Sequence, residues 1–466
     1  MNWDVKPLIS ACVIGERALI AILLAAITID TMLSNLTDLL IPGIPVDTRL
    51  LIFSVIGILA LITGTAICVT ETRRAGESGF SGLLLIRTSK AMRIIQFILI
   101  GIIAAILVEE FVFRQYHTLL VIAGITLSYY TGGIFLAILS YKFIQWFRPK
   151  ARNRKNRVFL FFLLSSATLS LIVTMSIPAQ SMLLYQSFPE VVRSGSVPRF
   201  PTLEGISSDL VQILLAIPYL IAPPWVFFTW VGSALMLKSY IGSIGKLVFW
   251  PLILGSLATI IVGSVIAYAP NTSGPFDKTL LVFRVIGISA IIIQGFLVAF
   301  AFLKVSRNVK EKVPMQIMGS LRTSAIGISL LFASVSANLA FGSFPPLGAI
   351  SYCYVGLGAY LFITGVYSSA VSVSTDTELR KMIRRFLLDR SGFVDSIGSA
   401  NLDLELSKMV LSMSKKYVES IKENTDLELR ISDSEYHQYL HDAIQEARRA
   451  REERNESKED NKMNSN

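Results

Sequence analysis

Residues 346–390 read PLGAISYCYVGLGAYLFITGVYSSAVSVSTDTELRKMIRRFLLDR. Gly348 to Val373 holds no charged residue, and the stretch exceeds the ~20 residues that a helix needs to cross a bilayer. Asp376, Arg380, Lys381, Arg384 and Arg385 then follow closely. One helix is therefore expected to leave the membrane here and continue as a basic, amphipathic, water-exposed segment over 376–390. The chain before this point reads as membrane, and the chain after it reads as soluble.

Composition agrees. The 466 residues are 53% hydrophobic and 16% charged, with a mean hydropathy of +0.59. Soluble domains carry roughly 25% charged residues. Ten apolar spans are predicted at 18–38, 50–70, 92–113, 118–142, 158–178, 210–235, 247–268, 279–303, 323–343 and 348–373. The predicted fold is an all-α, polytopic transmembrane helix bundle over 1–373. A cytoplasmic helical tail should occupy 374–454, and a disordered C-terminus 455–466.

The net charge of +10 does not point to nucleic acid, because the excess lies in short loops between spans. One set of loops carries Arg73, Arg74, Arg87, Lys90, Arg93, Lys142, Arg148, Lys150, Arg152, Arg154, Lys155, Arg157, Lys238, Lys246, Lys304, Arg307, Lys310, Lys312 and Arg322. The alternate loops carry only Arg49, Arg114, Arg193, Arg199 and Lys278. Positive residues are retained on the cytoplasmic side, so both termini are expected there, with the cell membrane as the location. Ala18–Ile29 resembles a signal-peptide core, but Asp30 and Thr31 follow it without a clear cleavage site. The longest outer loop is 179–208. Sequons at Asn35 and Asn271 fall at or beyond the outer face.

Ionisable groups inside a span commonly cost ~3 kcal/mol or more at mid-depth, so each one flags a site. Asp30, Glu109, Glu110 and Arg284 should lie in the outer third of the bilayer. Arg284 is expected to pair with Asp30 or a glutamate beside an outward-facing cavity. The simpler alternative has Arg284 snorkelling and the glutamates capping the third span at the interface, and Glu110 is assigned to the interface. Gln294, Asn338 and the Tyr129–Tyr130 pair are polar, uncharged groups expected at mid-depth, where they usually bridge helices. The candidate intramembrane site is thus Asp30, Glu109, Arg284, Gln294 and Asn338. A second candidate is Pro218, Pro223 and Pro224 in the sixth span, where lost donors should kink or break the helix.

Tyr219, Phe227, Thr229, Val231 and Ser233 match Tyr354, Phe362, Thr364, Val366 and Ser368 without a gap. This is the pattern of a parallel four-span repeat, although apolar spans match by chance readily. No catalytic residue, metal site or cofactor is predicted. His117 is the lone histidine near a span, and GESGFSG (76–82) has no histidine base near it. His437 and His441 lack a third ligand. Cys12, Cys68 and Cys353 sit in apolar runs as packing residues.

In the tail, Leu406, Met409, Val410, Met413, Tyr417 and Ile421 share a helical face. Ser432 and Glu435 form a capping box for a further helix. Residues 401–454 are expected to dock on the membrane half, to bind a cytosolic protein or to pair with another copy, coiled-coil fashion. Two function classes remain: a transporter or channel for a small solute or ion, and a non-enzymatic membrane sensor or scaffold acting through the tail.

Overall fold

The computed structural model describes residues 16–35, 44–77, 83–113, 118–147, 157–186, 208–238, 240–268, 278–309, 315–337, 346–375, 397–398, 400–402 and 404. Its helices are α1 (Glu16–Asn35), α2 (Val46–Glu77), α3 (Leu83–Phe113), α4 (Thr118–Phe147), α5 (Arg157–Gln186) and α6 (Ser208–Lys238). There follow the short α7 (Ile241–Ile244), then α8 (Lys246–Tyr268), α9 (Lys278–Val309) and α10 (Met315–Val335). The last span is in two pieces, α11 (Ala349–Tyr352) and α12 (Val355–Thr375). No strand occurs among the described residues.

Eight of these helices are long and apolar enough to cross a membrane, and Ala18–Ser34 and Lys246–Val262 are shorter apolar stretches. The protein is an all-α, multi-pass membrane protein. Helix is the expected outcome for such runs, because a lipid core leaves backbone N–H and C=O groups no partner outside the chain's own turns. Polar side chains in the spans are satisfied the same way. Ser54, Thr63, Thr131, Thr229 and Ser233 each donate to the carbonyl four residues earlier. The outward faces carry large apolar groups such as Ile62, Ile94, Phe97, Val108 and Phe111, all more than half exposed to what would be lipid.

Neighbours in sequence pack together from α1 through α6, and α9 and α10 then lead back to α1. Within this ring stands α12, packed on α10, α4, α3 and α2. Every residue in the apolar window of Ala349–Ser374 is buried. Small residues allow that position. A Cβ on Gly327 of α10 would collide with the Phe362 backbone nitrogen and stand 2.7 Å from the Leu361 carbonyl carbon. One on Gly358 would lie 2.8 Å from the Leu331 nitrogen, and one on Gly365 would lie 2.5 Å from the Ser324 nitrogen. The pairs 358/331, 362/327 and 365/324 run antiparallel with helical spacing, so α10 and α12 touch backbone to backbone. Hydroxyls join the outer helices: Ser140 donates to Ser166 across α4 and α5 (2.8 Å), and Ser165 lies 2.5 Å from Thr229 of α6.

Two expectations need correction. The last span is not one continuous helix, since it opens on a left-handed Gly348 (φ 92°) and is interrupted at Cys353–Tyr354. The sixth span is continuous: Pro218, Pro223 and Pro224 all lie inside α6. Local adjustment in a long membrane helix tolerates them. Residues 397–401 pack on the membrane helices as well. The chain divides into compact units 1–404 and 405–466. Ile397 and Ala400 are buried, Gly398 lies against Val373, and Asn401 bridges two helices. It accepts from Trp146 Nε1 (3.3 Å) and donates to Ser374 Oγ (3.0 Å). Residues 376–396, the remainder of the predicted tail from 405, the 179–208 loop beyond Gln186 as far as 207, and Asn271 lie outside the described residues.

The α10–α12 contact gives a direct test. Gly327→Ala should destabilise the purified protein by about 1–3 kcal/mol through overpacking. Gly101→Ala, where a Cβ meets nothing within 4 Å, should be neutral or stabilising by up to about 1 kcal/mol. Thermal unfolding of both variants in detergent reads the contrast.

Candidate functional site

The buried face of α1 runs Leu23, Ala26, Ile27, Asp30, Thr31 and Ser34, at spacings of three and four. Helical phase therefore turns Asp30 inward, and it is fully buried. It meets the start of the interrupted last span. Gly348 N–H donates to Asp30 Oδ1 (3.0 Å), and Ser351 N–H donates to Oδ2 (2.9 Å). Ser351 Oγ donates to the same Oδ2 at 2.7 Å. Thr31 adds a second link, its Oγ1 donating to Ala333 O (2.9 Å) and lying 3.2 Å from Ser351 Oγ. α1, α10 and α11 are thus bound together by one polar cluster.

Every described partner of Asp30 donates to it, so both carboxyl oxygens serve as acceptors. They also satisfy the amide groups freed where the chain turns from an αL glycine into a helix. The second interruption is treated alike: Gly356 N–H donates to Ser128 Oγ of α4 (3.1 Å). Tyr354 reaches over to α2 and donates to Ala60 O (2.5 Å), its ring filling the space beside Gly64. Tyr352 donates to Ala337 O (2.8 Å), and its ring lies 5.2 Å from that of Tyr129. Around this break, side chains from the surrounding helices supply the partners that a continuous helix would find in itself.

The other candidates are distributed differently. Among the described residues, no hydrogen bond joins Asp30 to Glu109 or Gln294. The side chains of Arg284 and Asn338 lie outside those residues. Gln294 is fully buried on α9, and neither end of its amide has a hydrogen-bond partner. Tyr130 points outward at 60% exposure while Tyr129 is buried. Glu109 is half-buried. Glu110 is fully buried, and neither of its oxygens has a hydrogen-bond partner.

Ser128 and Ser351 are not marked by the sequence, and Tyr354 enters it only as a repeat match. No spacing reveals their roles, because their partners lie more than 200 residues away. Glu110 carried a readable signal: Met92, Gln96, Leu99, Ile103, Ile106 and Glu110 follow a four–three–four–three–four spacing on one buried face. Among the described residues, no group of three or more His, Cys, Asp or Glu could hold a metal ion. Cys68 and Cys353 are buried thiols, neither of them in a disulfide.

No known family model, curated protein or solved structure matches the chain significantly.

Loss of the Asp30 cap should be costly. Asp30→Ala leaves the Gly348 and Ser351 backbone donors buried without an acceptor, at about 1–3 kcal/mol for each unsatisfied group, while the Ser351 hydroxyl keeps Ile27 O at 3.2 Å. Asp30→Asn retains one acceptor and should fall between wild type and Asp30→Ala in melting temperature. A melting temperature for Asp30→Ala equal to wild type would mean that the cap contributes nothing to stability.

Proposed function

We propose that the protein is a transporter or channel for a small solute or ion. In this reading it crosses the cell membrane ten times and has both termini in the cytoplasm. The observation that carries the reading is the interruption of a fully buried, central span, held by hydrogen bonds from α1, α2 and α4. Broken helices at membrane depth are tolerated where they meet protein or a wet cavity, and carriers build sites from them. Bonds between a central element and its surroundings can be exchanged for bonds to a solute, whereas the bonds within a helix turn cannot. The ten-span topology rests on the distribution of Lys and Arg over alternate loops, nineteen against five.

One observation favours a second reading, a membrane sensor or scaffold. Asn401 ties the start of the tail to both α4 and the central α12, so a partner bound to the tail would act on the bundle core.

A thermal-shift screen of the purified protein over ions and small metabolites separates the two. A carrier should be stabilised by its solute at concentrations above Kd. The same solute should then be taken up by proteoliposomes, with uptake reduced by Ser128→Ala. Silence over a broad panel, with a cooperative unfolding transition retained, would reject the carrier. The topology is tested by cysteine at Ser273, expected to react with an impermeant reagent added outside intact cells. A cysteine at the C-terminus should be shielded from it.

A further inference from the structure

We propose that Glu110 is the binding site for one monovalent cation, a proton or an alkali-metal ion, on the buried face of α3. The site stands whether or not the protein proves to be a carrier.

The argument rests on the contrast between two buried carboxyls. Asp30 and Glu110 are each fully buried. Asp30 has three donors within 3.0 Å. Glu110 has none for either oxygen. An ionised carboxylate out of water needs compensation by donors or by a counter-charge, and the cost of lacking it is several kcal/mol. At Asp30 the protein supplies that compensation. At Glu110 no described residue supplies a donor, which leaves the compensation to a bound cation.

The position is also fixed. Val108, Phe111, Val112 and Phe113 are all more than half exposed on the outside of α3, and Glu110 alone in this last turn faces inward. One turn earlier, Leu107 packs beside Gly57 of α2, and Ile350 of α11 lies against the same glycine. Glu110 therefore stands on the α3 face that packs against α2, while Asp30 holds α11 from the α1 side. The helices around α3 carry other titratable and charged groups: Asp47 and Arg49 of α2, Tyr129 of α4, and Tyr352, Cys353 and Tyr354 of the last span. Glu109 is adjacent in the chain. None of these donates a hydrogen bond to Glu110. The side chains of Arg114 and His117 lie outside the described residues.

The test uses the full-length protein in detergent and dicyclohexylcarbodiimide, an apolar reagent that modifies protonated carboxyls in membranes. Labelling is read by peptide mass spectrometry, with Glu109 as the internal control. Glu110 should be modified in acidic, alkali-free buffer, and the modification should be lost in Glu110→Gln. Loss of labelling as pH rises, without an effect of Na⁺ or K⁺, identifies the proton as the ligand. Suppression by Na⁺ or K⁺ at constant pH identifies the metal cation. Labelling that responds to neither pH nor salt would overturn the site, as would no labelling of Glu110 in the folded protein at acidic pH. A second measurement guards against a misfolded variant. Glu110→Gln, an uncharged isostere of the occupied group, should melt no lower than wild type. If Glu110→Gln lost as much melting temperature as Glu110→Ala, the carboxylate would be acting as a structural ion, and the proposal would fail.

Discussion

The bundle depends on how it satisfies backbone amides in a place that water does not reach. A continuous membrane helix avoids the problem, since all but its end groups are paired internally. The last span is not continuous, and it occupies the centre. Its exposed amides would each cost more than a typical hydrogen bond contributes, so partners must come from other helices. Asp30 accepts from two of them, Ser128 accepts from a third, and Tyr354 fastens the break to α2. The placing of α1, α2 and α4 around the core follows from these obligations as much as from apolar packing.

Close packing is the second condition. Lipid is as apolar as leucine, so membrane helices gain little from apolar contact alone and more from close approach. Gly327, Gly358 and Gly365 bring α10 and α12 into backbone contact along their length. The aromatic groups Trp225, Phe332, Phe302 and Phe362 fill the wider spaces, with Trp225 and Phe332 centred 4.7 Å apart and Phe302 edge-on to Phe362. The glycine seam draws α12 inward, and the hydrogen bonds at its head fix where along the axis it stops.

Much of this architecture was readable in the sequence. Apolar run length gave the all-α membrane class, since only length and composition enter that inference. Asp30 stood out because a carboxylate in an apolar run is costly wherever it goes. Its partners were not readable. They are main-chain amides of Gly348 and Ser351, and an amide has no residue identity to recognise. Pro345, Pro346 and Gly348 did mark a turn before the last span, but nothing at Cys353–Tyr354 announces an interruption. Prolines drew attention to α6 instead, where a long helix absorbs them. Glu110 was assigned to the interface because it lies near the end of a span. Depth alone misleads there: the heptad-like phase from Met92 to Glu110 turns the group inward.

Asn401 has a mechanical implication. Its single amide grips Trp146 of a peripheral helix and Ser374 of the innermost one, so Asn401 is fastened to both at once. Tension applied farther along the polypeptide would be borne first by that clamp, and shared between the centre of the molecule and its rim.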